Sequence, residues 1–74
     1  MYYISGFYKF KKIHQIKKTK KLLNDIFNKY NVRGTIIISS EGVNGTISSN
    51  KKNLELVLNK IKKTFNFTSF DSQN

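Results

Sequence analysis

The side chains that could make or break bonds are few in this sequence. His14 is the single histidine and there is no cysteine, so a catalytic triad or a cysteine metal site cannot be assembled, and we expect His14 to be an ordinary loop residue. The carboxylates are scattered along the chain, which argues against a matched general acid and base. They are Asp25, Glu41, Glu55 and Asp71. The sequence therefore predicts no catalytic residue, no metal site and no cofactor, and a chain that is not an enzyme by itself.

A polar, glycine-rich stretch at residues 39–45 could present hydroxyls, an amide and backbone N–H groups to a ligand. Hairpin turns require Gly and Asn for backbone reasons alone, so the interpretation as a turn is favoured over a binding loop. No Walker lysine follows these glycines. The residues of interest in this stretch are Ser40, Glu41, Gly42, Asn44 and Gly45.

The net charge of +10 comes from 14 Lys and Arg against 4 Asp and Glu, and such a surplus favours a polyanionic partner through counterion release. Thirteen of the basic residues are Lys, as a preference for AT-rich codons would produce. That preference would supply Asp and Glu equally, so it does not explain their scarcity. Nucleic-acid contact is therefore favoured over a merely solvated surface.

Basic residues are densest just after Tyr8 and Phe10, an arrangement that suits RNA if the rings are exposed. Tyr8 and Phe10 are more often core residues than stacking platforms, and we expect them in the core. The basic residues proposed to bind RNA are Lys9, Lys11, Lys12, Lys17, Lys18 and Arg33.

The first half of the chain predicts a strand and then an amphipathic helix. Residues 2–10 are aromatic and β-prone, with Tyr8 and Phe10 on one face and Phe7 on the other. Apolar residues then recur at helical spacing, and Asn31 can adopt the left-handed conformation that closes a helix. The recurring residues are Ile16, Leu23, Ile26, Phe27 and Tyr30.

The second half predicts a hairpin and another helix. Residues 33–39 are apolar on both faces and predict a largely covered strand, with residues 44–49 as its partner and a positive φ at Gly42 in the turn. Ser49 or Asn50 is a suitable N-cap for the second helix. Its apolar stripe consists of Leu54, Val57, Leu58, Ile61 and Phe65.

The predicted fold class is α+β, a ferredoxin-like β-α-β-β-α(-β) sandwich with an antiparallel sheet and two helices on one face. The fourth strand is missing or rudimentary. Either residues 65–70 form a short fourth strand, or the chain is part of a longer protein that completes the sheet, which is the favoured reading. An unpaired first strand would be an open edge, through which a homodimer could form.

At 74 residues the chain has room for a single domain spanning residues 1–74, of marginal stability because a chain this short buries only about 60% of its unfolded surface. The N-terminus lacks the pattern of a signal peptide, and no apolar run reaches the roughly 18 residues of a membrane span. We expect a cytoplasmic protein.

Three segments resemble a known family: residues 6–10 (GFYKF), residues 32–36 (VRGTI) and residues 40–48 (SEGVNGTIS). They are similar to the N-terminal acylphosphatase-like domain of rhodanese-domain proteins that act as tRNA wobble-uridine hydroxylases. Phe70-Asp71-Ser72 resembles the connection before that family's fourth strand.

The resemblance implies tRNA as a partner, a cytoplasmic location and oxygen-dependent hydroxylation of the wobble uridine at C5. It also implies that the active cysteine belongs to a rhodanese domain, which is absent from this chain and would act in cis or in trans. A packing role on that domain without RNA contact is the alternative. Acylphosphatase activity is the least favoured, since residues 11–15 (KKIHQ) contain neither the Gly nor the Arg of a phosphate cradle, and Ile38 and Ser39 stand where an Asn would be sought.

Overall fold

The structure is a computed structural model and describes residues 2–73. Three strands and two helices follow one another in the predicted order β-α-β-β-α, with a fourth, short strand after them. The elements are β1 (Tyr3–Phe10), α1 (Ile16–Lys29), β2 (Arg33–Ser39), β3 (Gly42–Ser49), α2 (Lys51–Phe65) and β4 (Ser72–Gln73). Neither helix of the described chain has the length and apolar character needed to cross a membrane.

The strands form one antiparallel sheet in the order β2-β3-β1-β4. β1 pairs with β3 along its whole length, from Tyr3 opposite Ser49 to Phe10 opposite Gly42. β2 pairs with the other side of β3, with Arg33 opposite Ser48. This is the strand order of the predicted ferredoxin-like, acylphosphatase-like α+β fold, which is confirmed.

Both helices cover the same face of the sheet, and the core lies between them and the strands. Phe7 points into this core from β1, because alternate residues of a strand point to opposite faces. The predicted apolar stripe of α2 is buried in full, and Leu23 and Phe27 of α1 meet it. The helical periodicity of both segments therefore identified the core-facing side of each helix correctly.

Tyr8 and Phe10 lie on the opposite, open face, so the expectation that they belong to the core is wrong. Tyr8 is 39% exposed and Phe10 63% exposed. Alternation along β1 separates its residues into two faces, but both faces carry aromatic rings, and only the helix positions decide which face is covered.

β2 is likewise not the largely covered strand that its apolar run suggested. It lies at the edge of the sheet, next to β3 alone. Ile36 and Ile38 are half-buried under the helices, whereas Ile37 points to the open face and is 58% exposed. A run of β-branched residues reflects strand preference as well as burial. The pattern therefore overestimated how much of β2 is buried.

The hairpin between β2 and β3 is tighter than predicted, with Ser40 and Glu41 alone forming the turn. Gly42 does not have the positive φ expected of it; it belongs to β3 and pairs with Ser39 and Phe10. A Cβ at this position would lie 2.3 Å from the carbonyl oxygen of Lys9. Glycine is needed here for the close approach of two strands.

The fourth strand exists but lies later in the chain than residues 65–70. Phe65 ends α2, and Asn66 adopts the left-handed conformation that caps the helix. Phe67 and Phe70 then pack against the core, so these residues are not available to form a strand. In the described residues the short β4 pairs with Phe7 and Tyr8. The rudimentary fourth strand is thus confirmed, at a different position.

The predicted helix boundaries hold where capping residues set them. The Oδ1 atom of Asn50 accepts a hydrogen bond from the Asn53 N–H at 2.8 Å, which makes Asn50 the N-cap of α2. Asn31, just past α1, has a φ of 54°. The Asn53 side chain also donates to the Tyr30 carbonyl oxygen at 3.0 Å, and this contact joins the end of α1 to the start of α2.

Candidate nucleic-acid interface

The positive charge of the molecule is concentrated on its helical side. Ten of the thirteen lysines lie on α1 and α2, five on each helix. In the part of the chain that the structure describes, Lys9 is the cation with a carboxylate within ion-pair distance, and its partner is Asp71. The other lysines are therefore available to a polyanion.

The sheet register divides the molecule into two ends. The turn end contains the Ser40–Glu41 hairpin turn, the end of β1 at Phe10, the start of α1 and the end of α2. The far end contains Arg33, the end of α1 and the start of α2.

Four of the six proposed RNA-binding residues lie together at the turn end. Lys11 and Lys12 follow β1, and Lys17 and Lys18 lie in the first turn of α1. The Lys11 Nζ atom donates to the Asn66 carbonyl oxygen at 3.4 Å, so the connection after β1 adjoins the end of α2. Lys62 and Lys63 of α2 therefore extend this basic end, which the sequence alone did not reveal.

Lys9 lies beside this group but its charge is paired, and Arg33 lies away from the group. The Lys9 Nζ atom lies 3.3 Å from the Asp71 Oδ1 atom and 5.2 Å from the centre of the Phe67 ring, on the helix-covered face. Arg33 lies at the far end of the sheet, opposite Ser48. The six residues thus do not form one patch, and their role in RNA binding stays a prediction.

An open groove of about 600 Å³ runs along the outer side of α2. Lysines and two aromatic rings line it, and no carboxylate is among the described residues of the lining. The residues that give it this character are Tyr30, Lys60, Lys62, Lys63 and Phe67. The Lys60 Nζ atom lies 5.5 Å from the centre of the Tyr30 ring. Cations beside flat rings can bind phosphate and base of a nucleic acid, and periodicity missed this site because it identifies buried faces only.

The polar, glycine-rich stretch at residues 39–45, which is part of the family-like segment 40–48, lies mostly within the sheet. Gly42, Asn44 and Gly45 are β3 residues, while Ser40 and Glu41 form the exposed turn. The Glu41 N–H donates to the Ser39 side-chain oxygen at 3.2 Å. A Cβ at Gly45 would lie 2.6 Å from the Thr35 carbonyl oxygen, so strand packing accounts for this glycine. The interpretation as a hairpin agrees with this geometry.

The chemistry-bearing residues do not converge. Among residues 2–73 no cluster of three or more His, Asp or Glu side chains could hold a metal ion. His14 is exposed in the connection between β1 and α1. The backbone of that connection is hydrogen-bonded to the hairpin turn: the Ile13 N–H donates to the Ser40 carbonyl oxygen at 3.1 Å.

Comparison with known proteins agrees with the fold. A family model described as the UPF0176 acylphosphatase-like domain matches residues 2–74. This chain belongs to that family. The tRNA uridine(34) hydroxylase of Pelagibacter ubique (strain HTCC1062) is 54% identical over 74 residues, which is 100% of this chain and 25% of that relative. The UPF0176 acylphosphatase-like domain described here thus spans a quarter of the relative's length.

Proposed function

We propose that this domain is an accessory, tRNA-binding module of a tRNA uridine hydroxylase-like protein of the cytoplasm. The observation that supports it most is the 54% identity, along the whole chain, to a tRNA uridine(34) hydroxylase. The concentration of unpaired lysines on one side of the molecule supplies the physical means. Lysine ammonium groups bind phosphates and release counterions, which gives affinity with little sequence preference.

In this proposal the turn end carries the contact. The lysines after β1, those opening α1 and those closing α2 face a phosphate backbone, and the groove along α2 accepts a neighbouring nucleotide. The hydroxylation itself belongs to a separate rhodanese domain with its cysteine, in cis or in trans. This chain then holds the tRNA and takes no part in bond-making.

Titration of tRNA at several salt concentrations tests the proposal. We expect the logarithm of affinity to fall linearly with the logarithm of salt concentration. The triple variant Lys12→Glu, Lys17→Glu, Lys18→Glu should weaken binding and make that slope shallower by about 2 to 3, at about 0.7 to 0.9 per lost phosphate contact. All three side chains are exposed, so the fold should tolerate the change.

A matched control reverses three exposed lysines at the far end: Lys29, Lys51 and Lys52. It has the same net charge as the turn-end variant, and we expect it to keep most of the affinity. Equal losses in both variants would show that binding follows net charge and not the turn end. Binding without any salt dependence would refute the proposal.

A second candidate function is structural, with the domain packed on the rhodanese domain and its lysines only solvated. The observation that favours it is the open face of the sheet, where the apolar side chains of Ile4, Phe10 and Ile37 are exposed. A chain that ignores tRNA at every salt concentration but binds a separately supplied rhodanese domain would select this function.

A further inference from the structure

The sheet face opposite the helices, here called the open face, carries large exposed apolar side chains. Ile4 is 72% exposed, and Tyr8, Phe10 and Ile37 share the same face. Polar residues such as Thr35, Asn44 and Thr46 lie between these apolar side chains. Large apolar side chains gathered on one exposed face can mark a protein interaction site. We therefore expect this face to bind another molecule.

The open face also has a shape that can receive a side chain. A hollow of about 320 Å³ lies above Gly6, which stands opposite Thr46 in the register. Two residues further along the strands, the next row of cross-strand neighbours consists of Tyr8, Asn44 and Ile37, with Asn44 in the middle. Because Gly6 has no side chain and Thr46 a short one, the surface dips beside this larger row, and the dip is wide enough for one apolar side chain.

Charge distinguishes a protein occupant from a nucleic acid. Among the described strand residues that point to the open face, Arg33 is the cation and there is no carboxylate. The helical side carries ten lysines. An RNA strand needs cations for its phosphates, so it fits the helical side, whereas an apolar protein surface fits the open face.

We propose that the open face docks onto an apolar protein surface, which inserts one aliphatic or aromatic side chain into the hollow between Gly6, Tyr8 and Ile37. The occupant is the polypeptide that makes up the rest of a tRNA hydroxylase-like protein; three quarters of the relative's length lies outside the region that this chain covers. The inference rests on the proposed membership in such a protein, but not on tRNA binding.

Hydroxyl-radical footprinting of two proteins tests this inference. One is the 74-residue chain alone; the other is a chimera in which it replaces the matching quarter of the Pelagibacter relative. We expect oxidation of Tyr8, Phe10 and Ile37 to be several-fold lower in the chimera. Leu22 of α1, which is 46% exposed, serves as the internal control and should react equally in both.

Two variants of the chimera extend the test. Ile37→Asp places a charge in the docked face and should restore oxidation of Phe10, whereas Leu22→Asp on α1 should leave the protection unchanged. Both side chains are exposed in the isolated chain, so neither change should unfold it. As a check that does not depend on the chimera, amide shifts of Gly6, Tyr8 and Ile37 should move when the relative's remaining three quarters is added to the labelled chain.

Three outcomes would overturn the inference. Equal oxidation in both proteins, together with unmoved amide shifts, would show that the open face is not covered by protein. Protection that requires added tRNA would make RNA the occupant, and protection of the isolated chain that rises with its concentration would make it a second copy. Loss of tRNA binding with protection retained would refute only the tRNA role.

Discussion

Asp71 fastens the C-terminal residues to β1 through both its backbone and its side chain. Its N–H donates to the Tyr8 carbonyl oxygen at 2.8 Å, and its Oδ2 atom accepts from the Phe10 N–H at 2.7 Å. The hydrogen bond from Phe10, more than the nearby Lys9 ammonium, lowers the pKa of Asp71 below its usual value of 3.8, against a smaller desolvation effect that raises it. The ionised carboxylate of Asp71 therefore helps to hold the C-terminal residues against β1.

The attachment should consequently weaken in acid. A carboxyl group whose pKa is lower in the folded protein contributes stability above its unfolded pKa and loses it as the pH falls through the folded pKa. We expect faster hydrogen exchange at the Phe10 amide once the pH drops below about 3.8, after correction for the intrinsic exchange rate. Asp71→Asn should remove this pH dependence. As a control, Asp25→Asn removes the same charge from α1 and should leave the pH dependence of exchange at Phe10 intact. If both variants removed this pH dependence, it could not be attributed to Asp71.

Gly34 allows β2 and β3 to approach closely, and Gly42 does the same for β3 and β1. At Gly34 the φ is 139°, and a Cβ would lie 2.1 Å from the Thr46 carbonyl oxygen. We expect Gly34→Ala to lower the free energy of unfolding by more than about 1 kcal/mol, because backbone strain and steric overlap add. Ser40→Ala, in the exposed turn, should change it by less than about 0.5 kcal/mol. Urea denaturation measures both, and an unchanged midpoint for Gly34→Ala would be incompatible with this packing.

The N-terminus of α2 depends on one capping side chain. We expect Asn50→Ala to destabilise the protein by about 1 kcal/mol, since the N–H of Asn53 loses its acceptor. Asn59→Ala makes the same chemical change at an exposed position inside α2, where Ala is the better helix former, and should be neutral or slightly stabilising. Thermal melts followed by circular dichroism compare the two. Equal melting temperatures would show that the cap contributes nothing.

The helices were more predictable than the strands, and the reason is geometric. In a helix with one buried stripe, the apolar residues recur every 3.6 positions. The spacing of Leu54, Val57 and Ile61 therefore shows which side of α2 is buried. A strand shows two faces, and the sequence does not tell which one the helices cover. The sequence therefore favours Tyr8 as a core residue, whereas in the structure Phe7 on the other face is the buried ring.

The site was predictable in part for a related reason. Composition indicated a polyanion, and proximity along the chain correctly grouped Lys12, Lys17 and Lys18 at one end. It could not show that Lys9 has a carboxylate partner 62 residues away, or that Arg33 lies at the opposite end of the sheet. Contacts between residues that are distant in the chain arise from the tertiary fold, and no local spacing reports them.

At the scale of the whole molecule, the sheet separates two surfaces of different chemistry. Lysines cover the helical side, while the open face combines exposed apolar side chains with uncharged polar ones, and Arg33 is the charged side chain among its described strand residues. A module built this way can be held on one side by protein and on the other by a polyanion. The two proposed contacts do not compete for the same residues, so a variant that removes one should leave the other measurable.

Concentration of charge on one side should also make salt act in opposite directions on folding and on tRNA binding. With a net charge of +10, the folded chain repels itself, and salt screens that repulsion with a Debye length of about 10 Å at 0.1 M. We therefore expect the melting temperature to rise between low salt and 0.2 M, over the range in which affinity for tRNA falls.

Lys20→Gln combined with Lys21→Gln should raise the melting temperature at low salt and reduce its further rise on adding salt, because part of the repulsion is gone. Both side chains are exposed on α1, so their removal costs no core packing. A melting temperature that fell as salt was added would mean that attractive pairs outweigh repulsion in the folded state. The lysines would then be partnered within the chain and unavailable to tRNA, which would remove the physical basis of the proposed binding.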